Sequence, residues 1–367
     1  MNRERFQRVR EVFEGASERP ADQRAAFVRE ACGENAELRE QVERLLRCHE
    51  READVLDTRP FVAPMGAALR DHAAAEALPD RIGEFRLVRL IGRGGMGEVY
   101  EAEQDHPRRR VAIKLLRSDL VTPESRRRFE FEAQVLGTLQ HPGIACIHAA
   151  GVCALAGGAR PYFAMEFIRG RPLDEYARAA GPDVRERLKL FARLCEAVEH
   201  AHRAGVIHRD LKPSNILVDD AGHPRVVDFG VARLTCAGET VRSMHTAAGE
   251  LVGTVAYMSP EQISGGAHEA DARSDVYALG VVLFELLAGR LPLDLRGRSL
   301  PEVARIIRED EPTGLGTVNA QYRGELDTIA AKALEKDPQR RYASAGELAA
   351  DIRRHLRDEP IVRRDVA

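Results

Sequence analysis

The sequence has little cysteine and no apolar stretch long enough to cross a membrane. Its six cysteines among 367 residues form no CxxC pair and no dense framework. Free thiols in a reducing cytoplasm are therefore expected, and zinc sites and disulfides are not. The start lacks the apolar run of a secretory signal. The most apolar segment, 276–291, is interrupted by Glu285 and too short for a bilayer, which favours a buried helix.

An excess of charge of either sign is also absent. Lys and Arg number 55, Asp and Glu number 58, and the formal net charge is −3. This balance argues against a nucleic-acid partner, which would call for a basic chain. A hydrophobic content of 44% is ordinary for a globular protein. The length exceeds the usual single-domain size, so one large or two unequal domains are expected.

The first 57 residues have the spacing of a small helical unit. Phe6, Val9 and Phe13 recur at helical intervals, and Leu38 and Val42 repeat the pattern. Residues 58–82 are rich in proline and alanine without sustained periodicity, and they read as a linker. We therefore expect a helical N-terminal extension, 1–57, followed by a linker, 58–82.

The spacing of the apolar residues changes after this linker. Residues 85–90 and 97–102 predict paired strands, and residues 110–116 a third. Helical spacing dominates later, at 184–204, 274–288, 300–308, 324–334 and 344–356. A strand-rich part followed by a helix-rich part predicts two lobes with a cleft between them.

The most informative motif is the octapeptide His208-Arg209-Asp210-Leu211-Lys212-Pro213-Ser214-Asn215, called here the catalytic loop. Asp228-Phe229-Gly230 follows it, with Asp228 eighteen residues after Asp210. Two acids, an amide and a lysine at this spacing can hold magnesium, orient a hydroxyl and neutralise developing charge. The pair of motifs therefore indicates phosphoryl transfer.

A glycine-rich segment precedes these motifs. Gly92, Gly94 and Gly97 form a G-x-G-x-x-G pattern, whose backbone can approach phosphate oxygens. A strand follows at Val99 where a dinucleotide fold would need a helix, so a hairpin is favoured.

One lysine lies in the apolar strand that ends Val-Ala-Ile-Lys. Lys114 could point to water from an edge strand, or it could grip nucleotide phosphates with a carboxylate to position it. Glu132, on a predicted helix over 126–139, is the preferred partner, and Glu130 is its rival.

In this order the motifs resemble a protein kinase of the bacterial, eukaryotic-like (Hanks-type) serine/threonine class. The resemblance covers roughly residues 83–357 and implies an α+β fold of two lobes. The small β-rich N-lobe would span about 83–167 and the large helical C-lobe about 168–357, with a tail over 358–367.

The resemblance assigns roles within the catalytic centre. Asp210 would be the catalytic base, and Lys212 would stabilise the transferring phosphoryl group. Asn215 and Asp228 would ligate Mg²⁺, for which Mn²⁺ is an alternative ion. Lys114, held by Glu132, would clamp the α- and β-phosphates of ATP.

The resemblance also assigns nucleotide contacts around the phosphates and the adenine. The glycine-rich loop would cover the phosphates, and apolar side chains would enclose the purine, with hinge backbone groups bonding its edge. These residues are Ile91, Gly92, Arg93, Gly94, Gly95, Met96, Gly97, Glu98, Val99, Ala112, Met165 (the gatekeeper), Glu166, Ile168 and Leu217.

Arg209 implies regulation, because an arginine beside the catalytic aspartate can receive a phosphate from the following loop. In that loop Thr246 is the preferred autophosphorylation site, with Ser243 and Thr240 as further candidates. A dimer could form during this activation.

Residues 253–261 resemble the substrate-docking segment of the family. Lys212 together with Thr254 points to Ser/Thr acceptors. Glu261 is expected to pair with Arg341, and Asp275 to anchor the backbone of the catalytic loop. His208 is expected to be structural.

The sequence therefore predicts an ATP-dependent protein serine/threonine kinase whose partners are protein substrates and itself. Two alternatives stay open: a nucleotide-binding pseudokinase or scaffold, and a small-molecule kinase of related fold. The docking segment disfavours the last.

Overall fold

The computed structural model describes most of the chain. The described residues are 8–46 (with gaps at 10, 14, 17–18, 20, 34, 36–37 and 44–45), 80–94, 97–116, 129, 133–155, 158–179, 183–229, 254–264 and 271–362. Several sequence predictions fall outside them: most of the linker, Gly95, Met96, Glu130, Glu132, residues 230–253 and the end of the tail. The chain divides into two compact units, one of residues 2–138 and 148–165, the other of 139–147 and 166–367.

The N-terminal segment is helical where it is described. Helix α1 spans Ala21–Cys32, and the described residues within 8–16 and 38–46 are also mainly helical. Val9, Phe13 and Val42 are buried, as their helical spacing predicts. That this segment is a separate extension remains a prediction.

The first unit contains a sheet whose described strands run in the order β1-β2-β3-β4-β6-β5. Their bounds are β1 Arg81–Ile82, β2 Phe85–Gly94, β3 Gly97–Gln104, β4 Arg109–Leu116, β5 Ile147–Leu155 and β6 Gly158–Glu166. The predicted pairing of the first two long strands is confirmed, since β2 and β3 are antiparallel. Arg81 and Ile82, which the sequence assigns to the linker, form β1 because Ile82 is buried and pairs with Phe85.

Alternation along β4 separates a core face from a polar face. Val111, Ile113 and Leu115 are almost completely buried in a cluster with Tyr100 and Phe85. The intervening residues therefore face the other side of the sheet. That other face carries Ala112 and Lys114.

The second unit is mainly helical. Its described helices are α2 Leu173–Arg178, α3 Val184–Arg203, α4 Pro260–Ile263, α5 Ala272–Ala288, α6 Leu300–Glu309, α7 Leu315–Val318, α8 Glu325–Ala333 and α9 Ala345–Leu356. Short strands β7 Gly170–Pro172, β8 Ile216–Asp219 and β9 Pro224–Val226 form a small antiparallel sheet. The five long helices predicted from spacing are all found, within two residues of their expected ends.

Helix α5 is buried along most of its length. Its consecutive side chains from Ser274 to Phe284 are all buried, as expected for a helix that is apolar on every side. Asp271 caps its start, and Gly289, with a φ of 69°, ends it in the left-handed region. Among the described residues we find no helix with both the length and the apolar character needed to span a bilayer.

The cysteines in the described part of the chain are free thiols. Cys32, Cys146, Cys153 and Cys195 form no disulfide, which confirms the expectation for these four. Cys48 and Cys236 lie outside the described residues.

Candidate active site

The catalytic loop is anchored to helix α5 by one buried carboxylate. Asp275, in the first turn of α5, accepts hydrogen bonds from the backbone N–H of His208 (2.7 Å) and of Arg209 (2.8 Å). The Nε2 atom of His202 lies 2.7 Å from the same carboxylate. Burial would raise the pKa of Asp275, but the bond from His202 and the neighbouring groups lower it, and the net shift is downward. The anchoring role predicted for Asp275 is confirmed.

Two motif residues adopt a backbone conformation that is rare outside glycine. Arg209 has a φ of 65° and Asp228 a φ of 64°. A left-handed L-residue costs roughly 1–2 kcal/mol and persists only where its surroundings impose it. The bond from Arg209 N to Asp275 is one such constraint. Strain of this kind clusters at functional sites, and here it lies at Asp228 itself and at the residue before Asp210.

The predicted catalytic side chains converge on Asp210. Its Oδ2 atom lies 3.0 Å from the Nζ of Lys212 and accepts a bond from the Asn215 amide at 3.2 Å. The amide nitrogen of Asn215 also donates to the Asp210 carbonyl at 2.8 Å. Lys212 Nζ in turn donates to the Thr254 hydroxyl at 3.2 Å. One carboxylate, one ammonium and one hydroxyl therefore form a continuous polar chain.

Asn215 and Asp228, the predicted magnesium ligands, lie on neighbouring segments of the chain. Val227 N donates to the Asn215 carbonyl at 2.9 Å, which brings the chain that leads into Asp228 alongside Asn215. Because the Asn215 amide nitrogen is turned toward Asp210, its oxygen remains for a cation. Mg²⁺ prefers such oxygen donors and usually completes its shell with phosphates and water. Within the described ranges no three His, Cys, Asp or Glu residues could hold a metal by themselves.

His208 has a structural environment, as the sequence analysis expected. Its side chain is fully buried, its Nε2 lies 3.1 Å from the Val227 carbonyl, and its Nδ1 accepts from Asp210 N at 3.3 Å. Its ring packs against Phe229, with centroids 4.7 Å apart. Burial lowers the pKa of His208 despite the nearby carboxylates, so the neutral imidazole is favoured.

The docking segment is held by a buried ion pair. Arg341 donates to both carboxylate oxygens of Glu261, at 2.7 and 2.9 Å, and the guanidinium side chain is 0% exposed. Ser274 Oγ adds a bond of 2.7 Å to the same carboxylate. Burial would raise the pKa of Glu261, but the Arg341 bonds and charge outweigh it and the pKa is lowered. The predicted pair is therefore confirmed.

In the first unit, the β2–β3 hairpin carries the glycine-rich loop. Gly94 pairs with Gly97 at its tip, where a Cβ on Gly97 would lie 2.1 Å from the Leu115 carbonyl oxygen. Only glycine therefore fits at position 97. Val99 pairs with Lys114 across β3 and β4, and directly opposed residues share a face. Since Ala112 precedes Lys114 by two residues, all three predicted nucleotide contacts share one face.

A carboxylate that the sequence analysis assigned only to the phosphate loop also braces this hairpin. Glu98 accepts bonds from Arg93 (2.7 Å) and from the Tyr100 hydroxyl (2.9 Å). Arg160, on β6, contacts the same carboxylate at 3.5 Å and donates to the Leu116 carbonyl at 2.7 Å. Sequence reasoning missed Arg160, because only the strand pairing brings it there.

Met165, Glu166 and Leu217, which the resemblance assigns to the purine, are all among the described residues. Met165 is buried in the first unit, and Leu217 is half-buried on β8 in the second. Glu166 N donates to the Cys146 carbonyl at 2.8 Å. That N–H is therefore used within the fold. Glu132, assigned to hold Lys114, lies outside the described residues.

Comparison with known proteins agrees with this geometry. The profile of the protein kinase domain matches residues 85–355, and the chain therefore belongs to the protein kinase family. Among curated proteins, the serine/threonine-protein kinase PrkC of Bacillus subtilis is 40% identical over 273 residues, 74% of this chain and 40% of the relative. PknB of Mycobacterium tuberculosis is 38% identical over 280 residues, 75% of this chain and 43% of the relative.

Comparison with solved structures also identifies the fold. The crystal structure of the M. tuberculosis PknI kinase domain has a TM-score of 0.58 and 26% identity, covering 77% of this chain and 100% of that one. The fold is that of the protein kinases, and the resemblance to bacterial serine/threonine kinases is confirmed. The chain spans about two fifths of the length of the curated relatives that it matches.

Proposed function

We propose that this chain is an ATP-dependent protein serine/threonine kinase. The observation that carries the proposal is the contact of Asp210 with Lys212 and Asn215, extended from Lys212 to Thr254. This arrangement provides a base, a cation and an amide at one point. Family membership and the bacterial serine/threonine kinases among its relatives support the same function.

The reaction is a direct in-line transfer in which Asp210 receives a proton. The acceptor hydroxyl is oriented by the Asp210 carboxylate, and its oxygen forms a bond to the γ-phosphorus of ATP. The bond from that phosphorus to the β,γ-bridging oxygen breaks, and ADP leaves. Lys212, 3.0 Å from Asp210, neutralises charge on the transferring group. No covalent enzyme intermediate forms.

The phosphates require positive charge from both the chain and a metal. Asn215 and Asp228 would hold Mg²⁺, or Mn²⁺ in its place, which neutralises the phosphate oxygens when bound. Lys114 would bind the α- and β-phosphates, with Glu132 as the partner predicted from the sequence. Backbone N–H groups of the glycine-rich loop bind the same oxygens.

Apolar residues hold the adenine ring. Val99 and Ala112 share a face with Lys114, so a nucleotide whose phosphates reach Lys114 can place its base near them. Leu217 would pack on the purine from β8. The carbonyl of Glu166 and the N–H of Ile168 would bond the purine edge, with Met165 as gatekeeper.

Autophosphorylation would activate the enzyme. Arg209 precedes Asp210 and is held in a strained backbone conformation, so a phosphate bound by its guanidinium would stabilise the chain beside the base. The preferred site is Thr246, with Ser243 and Thr240 as alternatives, in the segment that follows Gly230.

Labelled ATP tests the function. The wild-type chain should transfer phosphate from ATP and magnesium to itself and to a generic protein acceptor. Asp210→Asn should lower transfer by about a thousandfold or more, since it removes the base. The matched control is Asp220→Asn, an exposed carboxylate in the turn directly after β8, which should retain wild-type activity. ATP binding without transfer by the wild type would instead indicate a pseudokinase.

A further inference from the structure

The capping box at the start of helix α4 contains a glutamine, Gln262, that makes one hydrogen bond more than capping requires. Ser259 N and Ser259 Oγ both donate to the side-chain oxygen Oε1 of Gln262, at 3.0 and 3.2 Å, while Gln262 N donates back to Ser259 Oγ. These bonds satisfy the first turn of α4 and need only an acceptor on residue 262. The amide nitrogen of Gln262 has no part in them.

That nitrogen donates instead to the catalytic loop. Gln262 Nε2 lies 3.0 Å from the carbonyl oxygen of Arg209, 53 residues earlier in the chain. The amide orientation is fixed at both ends, because Ser259 needs an acceptor and the Arg209 carbonyl needs a donor. In a second capping box of the same unit, Ser299 donates both bonds to the carboxylate of Glu302. Capping therefore does not require the donor that the Gln262 amide carries.

The Arg209 carbonyl belongs to the peptide bond that leads into Asp210. The N–H of that peptide donates to His208 Nδ1 at 3.3 Å, and the N–H of Arg209 itself donates to Asp275. Arg209 has a φ of 65°, a conformation that needs support from its surroundings. Gln262 supplies the hydrogen bond on the carbonyl side of this strained residue.

We infer that Gln262 is a positioning residue that aligns Asp210 from helix α4, directly after the docking segment. The inference rests on the proposed function. The amide fixes the plane of the 209–210 peptide and thereby the direction of the Asp210 side chain. A misplacement of about 1 Å at a reacting group can cost a hundredfold in rate. Gln262 therefore acts on the chemical step and leaves nucleotide binding alone.

Two substitutions remove the donor in different ways. Gln262→Glu keeps the capping acceptor and places a carboxylate oxygen opposite the Arg209 carbonyl. Gln262→Met keeps the approximate volume without charge or hydrogen bond. The matched control is Glu302→Gln in the second capping box, where the amide retains an acceptor for Ser299.

Steady-state kinetics on the full chain, with ATP and a protein acceptor, test whether Gln262 positions Asp210. Both Gln262 variants should lose about tenfold or more in kcat with KM for ATP within twofold of wild type. Glu302→Gln should match wild type in both. If either folded Gln262 variant keeps kcat within twofold, or if KM for ATP rises while kcat is kept, the inference is wrong. Should Gln262→Glu fail to fold, Gln262→Met decides. A wild-type chain without any transfer would overturn the proposed function instead.

Discussion

Thr254 illustrates how a single residue connects the docking segment to the catalytic loop. Its hydroxyl accepts a bond of 3.2 Å from Lys212, whose ammonium also contacts Asp210. The sequence paired Thr254 with Lys212 through the family pattern alone. The contact gives that pairing a physical basis, because a hydroxyl here shares the lysine with the base.

Removing this hydroxyl should slow the chemical step. Thr254→Val keeps the shape of the side chain but leaves Lys212 without this acceptor, so we expect kcat to fall about tenfold or more. Thr254→Ser retains the hydroxyl and should stay within about threefold of wild type. Initial-rate measurements at saturating ATP distinguish the two. Equal rates for valine and wild type would show that the contact has no role in catalysis.

Residue roles could be predicted wherever a short motif carried them. Asp275, Glu261 and Arg341 were placed correctly, since each stands at a fixed position in a recognisable pattern. The contacts of Gln262 and Arg160 with partners 53 and 62 residues away were missed, because neither residue belongs to a pattern that specifies its partner. No local pattern marks such a partner.

Among the elements, helix α4 is tied to the rest of the second unit by the Glu261–Arg341 pair. The Arg341 side chain is 0% exposed and that of Glu261 is 12% exposed. A buried guanidinium without its carboxylate retains a large desolvation cost. The nearby Arg340–Glu335 pair, separated by 3.5 Å, is much more exposed.

Neutralising the buried carboxylate should therefore destabilise the protein. We expect Glu261→Gln to lower the free energy of unfolding by about 3–5 kcal/mol. Glu335→Gln, in the exposed pair, should change it by about 0–1 kcal/mol. Urea unfolding followed by circular dichroism measures both. Similar small changes for the two variants would mean that the buried pair does not hold α4.

Among the secondary-structure elements, the helices were predicted from the sequence better than the strands. Helical spacing gave α3, α5, α6, α8 and α9 within two residues, because an amphipathic or fully apolar stripe is a local property. The strands β5 to β9 were not predicted. They are short or lack strict alternation, and their partners along the sheet determine them.

For the molecule as a whole, two buried groups and one half-buried group make stability depend on pH in the same direction. The pKa of His208 is lowered by burial. The pKa values of Asp275 and Glu261 are lowered by their hydrogen bonds and charged neighbours, against the effect of burial. In each case the unfolded chain binds protons that the folded chain does not, so stability falls as pH falls.

As the pH falls, His208 should be the first of these three groups whose protonation lowers the free energy of unfolding. Its contribution is lost as pH falls below about 6.5, the ordinary value for histidine, with a slope of up to about 1.4 kcal/mol per pH unit. The carboxylates follow below about pH 4. His208→Gln should flatten the loss between pH 6.5 and 5, whereas His223→Gln, at an exposed site, should not. Unfolding in urea at several pH values checks this, and identical profiles for His208→Gln and wild type would contradict it.

The architecture as a whole was predicted from the order of its motifs and periodicities. A strand-rich region followed by a helix-rich one predicted two lobes, and the resemblance of the motifs to protein kinases predicted the kinase fold. Domain limits at 57, 82 and 357 remain predictions. They depend on how segments associate, which spacing along the chain does not encode.

Phosphosite mapping after incubation with ATP and magnesium tests the central claim most directly. The wild-type chain should acquire phosphate on serine or threonine, with Thr246, Ser243 or Thr240 among the sites. Asp210→Asn should acquire none, and Asp220→Asn should match the wild type. An unmodified wild-type chain, phosphate on tyrosine alone, or equal labelling of Asp210→Asn would contradict the assignment of a serine/threonine kinase that uses Asp210 as its base.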